Sequence, residues 1–221
     1  MATVAGALMV IAKSPEPGRV KTRLCPPLDA PGASQIARAC LLDTLDAAAL
    51  VPASRHVLVL EGRPGSWCPP GWEVVAQRGV GLAKRLANAF IDVGTPAVVI
   101  AMDTPQVSPC SLLRALTLAV EQGAVPFGPA RDGGFWALGL PAGADPEAVF
   151  AGVPMSTPVT GAAQLERLAA LGLPVALLEE LRDIDDLDDL MAVASVGPPR
   201  LAAAVAELLP SAVDRMEVRA R

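Results

Sequence analysis

Histidine is nearly missing from this chain: there is one, His56, and there is no tyrosine. Aromatic residues make up only 3% of the 221 positions. The four cysteines, at 25, 40, 68 and 110, include no CxxC pair, so with a single histidine a Cys/His zinc site is excluded. Scattered cysteines of this kind suit a reducing, cytoplasmic setting. Basic charge is also scarce. The net charge is −5 and the sequence pI about 4.9, which argues against a nucleic-acid or acidic-membrane surface. No stretch reaches the ~20 apolar residues of a membrane span. The N-terminal run VAGALMVIA lacks the basic flank of a signal peptide and reads better as a first strand.

Several catalytic signatures are missing too. GxxxxGK[ST], GxSxG and a GxGxxG after the first strand do not occur, which disfavours a P-loop fold, an α/β-hydrolase and a dinucleotide site. The acidic run near the C-terminus lacks the glycine and ligand spacing of an EF-hand.

What is present is a hydrophobic content of 52%, ample for a buried core, and an alternation of short apolar runs with helical ones. Strands are expected at 6–12, 56–62, 72–77, 96–103 and 175–180, with a strand pair, AVPFGPA and GFWALGL, around RDGG. Helices are expected at 34–50, 82–94, 111–123 (capped by Ser108), 161–172, and in two final segments beginning at 185 and 201. The last residues, 214–221, are expected to fray. This alternation implies a mostly parallel sheet covered on both faces, in one domain spanning 1–221. Such sheets place ligands at the carboxyl ends of their strands.

Four features carry chemistry. Lys13, Arg19, Lys21 and Arg23 put four cations within eleven residues, in a loop with Gly18 directly after the first strand. Positive side chains and closely approaching backbone suit a phosphate; a solvated basic turn is the plainer reading. Asp103, in IAMDTP, closes the central strand, where a carboxylate suits Mg²⁺ or simply a turn before Pro105. Asp132, Gly133 and Gly134 make a good hairpin turn and equally a carboxylate on backbone that packs close to a ligand. The run RDIDDLDDL places five aspartates at 183–189; these start a helix, or else Asp183 or Asp185 reaches a metal shared with Asp103. Phe135 and Trp136 read as core, with a sugar or base pocket as the alternative, and Trp67 and Trp72 as loop packing. His56 reads as a strand-start surface residue.

Together, AKSPEPGRVKTRL, QRGVGLAKRLANAF, MDTPQV, GPARDGGFWALGL, MSTP and DIDDLDDL resemble, over about residues 6–195, a family of GT-A-like transferases associated with radical-SAM/selenodomain and arsenosugar gene clusters. The layout is similar, more distantly, to nucleotidyltransferases such as the deazaflavin-cofactor guanylyltransferase and the CMP-sugar synthetases. The resemblance implies a three-layer α/β/α sandwich of the GT-A (nucleotide-diphospho-sugar transferase-like) fold. It implies Mg²⁺ or Mn²⁺ on Asp103 and Asp185, and a nucleotide held by Lys13, Gly18, Arg19, Lys21, Arg23, Arg85, Asp132, Gly133 and Gly134. Asp103, Lys21 and Asp132 would lie closest to the reaction. The chain departs from the family at DGGFW, usually DGGYY, at GLAKR, usually GLGER, and at Asp186-Leu187, which replace Thr-Pro. The expected activity is glycosyl transfer from a nucleotide sugar to a small acceptor. The alternatives are nucleotidyl transfer from a nucleoside triphosphate to a small phosphorylated or carboxylated metabolite, with release of pyrophosphate, and a non-catalytic nucleotide-binding regulator.

Overall fold

The computed structural model describes residues 3–210, so the expected fraying of 214–221 lies outside the described residues. The strands are β1 (Val4–Lys13), β2 (Ala53–Glu61), β3 (Glu73–Ala76), β4 (Ala97–Ala101), β5 (Val125–Pro129), β6 (Phe135–Leu140) and β7 (Val175–Leu177). They form one sheet in the order β3-β2-β1-β4-β6-β5-β7. Only β6 runs against its neighbours, because the five residues 130–134 that join it to β5 are too few for a crossover.

The helices are α1 (Ala30–Ala49), α2 (Leu82–Val93), α3 (Pro109–Glu121), α4 (Pro146–Phe150), α5 (Thr160–Ala170), α6 (Leu187–Ser195) and α7 (Pro199–Leu208). Leu8, Val10, Leu58, Leu60, Val98 and Ile100 bury one sheet face against α1 and α3. Met9, Val57, Val59, Val99, Phe127 and Leu138 bury the other against α2, α4 and α5. The expected three layers are therefore present. A third apolar cluster joins Leu24, Ile36 and Cys40 to Ile184, Leu190, Leu201 and Val205, fastening α6 and α7 to the outer side of α1.

Several boundaries differ from those expected. α1 starts four residues earlier, because Asp29 caps it by accepting from Gly32 N (2.8 Å) and Pro31 fits its first turn. β4 ends at Ala101, leaving Asp103 in the turn beyond it. β7 stops at Leu177, and the chain continues extended to a single bridge between Leu181 and Ala130. α4 is too short to show periodicity and was not foreseen from sequence. His56 lies within β2, half-buried, with a ring nitrogen 3.0 Å from Ala48 O and its ring 5.1 Å from Trp72. Trp67 and Trp72 pack against the first core cluster.

Candidate active site

β1 connects to β2 on one side of the sheet, while β4 pairs with its other side, so chain connections diverge at the carboxyl ends of β1 and β4. In an open α/β sheet that divergence leaves a crevice. Here it holds a cavity of about 410 Å³ lined by Lys13, Arg19, Lys21, Arg23, Arg85, Asp103 and Asp185, with Ile11, Leu82, Leu86, Phe135 and Trp136 as its apolar wall. Cations from the first loop and from α2 thus meet carboxylates from the β4 turn and the late acidic run.

Each of these cations already has an acidic partner. Lys13 and Arg85 both pair with Glu61, the former at 3.9 Å. Arg19 lies 3.1 Å from Glu16, and Arg23 lies 2.7 Å from Asp185. Lys21 is buried, 2.9 Å from Asp103 Oδ1, and also donates to Ile184 O. Burial is the largest single influence on Lys21 and works against its charge, but the charge and hydrogen bond of Asp103, with Cys40 and Asp185, together outweigh it, so its pKa is raised above the ordinary lysine value. Burial also pushes the neighbouring Cys40 thiol up to about 12, which leaves it an unreactive core residue.

The acidic run divides by role. Asp186 accepts from Asp189 N (2.9 Å), and the Asp189 carboxylate reaches back to Asp186 N (3.3 Å), a capping box that starts α6. Asp183 and Asp185 lie ahead of the helix. With Asp132 they form a group in which one carboxylate oxygen from each lies within 4.8 Å of the others. Three aspartate oxygens this close together are the hard donors preferred by Mg²⁺ or Mn²⁺, so the group could hold such an ion. Burial, then the charges of Asp132, Asp185 and Asp103, push the Asp183 pKa up to about 6. Asp103 and Asp185 both line the cavity, Asp103 against Lys21 and Asp185 in the group with Asp132 and Asp183.

The DGG turn supplies Asp132 to this group. Asp132 Oδ1 accepts from Gly134 N at 2.7 Å. Gly133 O accepts from Gly161 N at 2.7 Å, and a Cβ on Gly133 would lie 2.0 Å from Pro158 O. The close approach that demands glycine is therefore to the 158–161 loop, and Gly133 and Gly134 lie outside the cavity lining. Gly18 (φ 77) sits in the loop with open space around it. Glu61 was not foreseen; its position at the carboxyl end of β2 was the available signal. Gln77 also lines the cavity, its amide donating to Ala12 O and Val59 O.

The fold defines the class: an α/β sandwich of the nucleotide-diphospho-sugar transferase type. A proposed nucleotide-diphospho-sugar transferase from Desulfovibrio desulfuricans G20 superposes with a TM-score of 0.82 at 23% identity, over 93% of this chain and 97% of that one. A nucleotidyl transferase from Methanothermobacter (Mth528) gives 0.54 at 19% identity, over 86% and 95%. Rv0371c from Mycobacterium tuberculosis H37Rv, in complex with manganese, gives 0.53 at 22% identity, over 87% and 98%. At these identities the likeness is one of fold. Residues 37–157 match the family described as "uncharacterized protein conserved in bacteria" (DUF2064), and the chain belongs to that family. A comparison with curated proteins gives no match. No helix among the described residues is long and apolar enough to cross a membrane.

Proposed function

We propose that this protein is a divalent-cation-dependent transferase of the cytoplasm that moves a glycosyl group from a nucleotide sugar to a small acceptor. The observation that carries the reading is one cavity, at the divergence of β1 and β4, where a basic loop faces Asp103 and Asp185, the latter grouped with Asp132 and Asp183 at the cavity's edge. Lys13, Arg19, Arg23 and Arg85 would neutralise the donor's diphosphate. Asp185, with Asp132 and Asp183, would hold Mg²⁺ or Mn²⁺, and Asp103 borders the same acidic group. A cation held there would supply stabilisation of the charge on the departing diphosphate. The acceptor's nucleophilic atom forms a bond to the anomeric carbon and gives up its proton to water, the bond from that carbon to the diphosphate oxygen breaks, and a nucleoside diphosphate leaves. Positioning and fixed charge supply most of the rate.

The much closer superposition on the D. desulfuricans protein than on the nucleotidyl transferase supports glycosyl transfer. The density of cations supports the second reading, nucleotidyl transfer from a nucleoside triphosphate. A panel of nucleotide sugars and nucleoside triphosphates, each with Mg²⁺ or Mn²⁺, separates the two. Release of nucleoside diphosphate from a sugar donor is the expected result, and pyrophosphate released from a triphosphate would overturn it. Binding is checked independently, because a true donor raises the melting temperature by mass action.

A further inference from the structure

Lys21 stands apart from the other cations of the loop. Lys13, Arg19 and Arg23 expose 56%, 62% and 75% of their side chains, whereas Lys21 exposes 7%. Its backbone is left-handed (φ 48, ψ 35), a region that residues other than glycine seldom occupy. That conformation turns the side chain inward, between the β4 turn and the late acidic segment. There Nζ lies 2.9 Å from Asp103 Oδ1 and donates to Ile184 O. Ile184 N in turn donates to Asp103 O at 3.1 Å, and Gln106 Nε2 donates to Arg182 O at 2.6 Å. The Ile184 side chain is fully buried in the third apolar cluster.

We propose that Lys21 is a positioning residue, a strut that fixes the segment carrying Asp183 and Asp185 against Asp103, and that donor phosphate falls to the exposed Lys13, Arg19 and Arg23. An ammonium has three donor protons. Asp103 and Ile184 O take two of them, and burial leaves little surface for a phosphate to approach. Ile184 lies between Asp183 and Asp185, so its carbonyl and amide set where both carboxylates stand relative to Asp132. The role rests on the donor-site reading in assuming that the cavity receives phosphate and that Asp183 and Asp185 hold a cation.

The test compares wild type with Lys21→Met, Asp103→Asn and Arg19→Ala. In EDTA, titration with inorganic pyrophosphate should give Lys21→Met an affinity within about twofold of wild type, while Arg19→Ala weakens it severalfold. A loss of tenfold or more in Lys21→Met would make Lys21 a phosphate ligand and overturn the strut. Hydrogen exchange at the Ile184 amide should be at least tenfold faster in Lys21→Met and in Asp103→Asn; unchanged exchange in both would refute it. Mn²⁺ binding, read by electron paramagnetic resonance, gives the sign. Removing a positive charge by itself tightens binding of a cation, whereas losing a residue that orients ligands weakens it about tenfold or more. Weaker binding is expected, and tighter binding overturns the proposal. If wild type binds neither pyrophosphate nor Mn²⁺, the donor-site reading falls, while the exchange result still decides the strut.

Discussion

Replacing Gly133 with alanine asks the DGG turn to accept one methyl group, and the structure sets the cost. Gly133 has φ 88, so an L residue there carries a left-handed backbone, worth about 1–2 kcal/mol. The new Cβ would also lie 2.0 Å from Pro158 O and 2.6 Å from Pro158 C. Those are backbone atoms, held by the Gly161 N to Gly133 O hydrogen bond of 2.7 Å, so relief requires the 158–161 loop to move. Overpacking of this kind adds about 1–3 kcal/mol. The sum is about 3 kcal/mol, and for a chain of this size about 2–4 °C of melting temperature per kcal/mol gives a fall of about 10 °C. Gly18→Ala is the internal control. Gly18 has φ 77 but nothing within 4 Å of its Cβ position, so only the backbone term applies. Circular-dichroism melts with urea unfolding measure both variants. If Gly133→Ala costs no more than Gly18→Ala, the close approach of the DGG turn to Pro158 is refuted.

The Asp183 carboxyl, with its pKa pushed up to about 6 by burial and neighbouring aspartates, gives two pH effects. Mn²⁺ affinity should be flat above about pH 7 and weaken below about pH 6 as the proton competes for the ligand; isothermal titration between pH 5 and 8 reads this, and affinity independent of pH would refute it. Because the folded pKa lies above the unfolded value, the folded state binds more protons between pH ~4 and ~6. Metal-free stability should therefore lose the Asp183 contribution as pH rises through that window and level off above it. Asp43 accepts from Arg200 N (3.2 Å) and Leu201 N (2.9 Å) while buried, acting from α1 as a cap for α7. Asp43→Ala should cost about 2–3 kcal/mol in urea unfolding, and Asp46→Ala, whose pair with Arg200 is exposed, less than about 0.5 kcal/mol; equal losses would refute the capping role. Asp103→Asn should lower donor turnover about 100-fold or more, measured as nucleoside diphosphate released, and near-normal turnover would exclude a catalytic role for that carboxylate.

The strands, most helices and the basic loop were legible in the chain because their causes are local. Uninterrupted apolar runs such as GALMVIA mark strands buried on both faces, and Ser108 and Gly94 mark helix ends by hydrogen bonding and backbone freedom alone. Lys13, Arg19, Arg23, Arg85, Asp103 and Asp185 line one cavity, the first three from the end of β1 and the loop after it, Arg85 from α2, Asp103 from the turn after β4 and Asp185 from the late acidic run. Which charge meets which was not legible. Lys21 reaches Ile184 across 163 residues and Arg23 reaches Asp185 across 162, and no periodicity carries information over such separations. Nor could spacing show that Asp132, in a hairpin turn, would stand beside Asp183 and Asp185. That convergence depends on β5 lying between β6 and β7 in the sheet and on the Leu181–Ala130 bridge beyond it. By itself the sequence determined where positive charge gathers: a basic loop after a buried strand. Only the tertiary structure decided which of its cations stay exposed and which one, Lys21, is turned inward, because burial and ion pairing are properties of the packed chain.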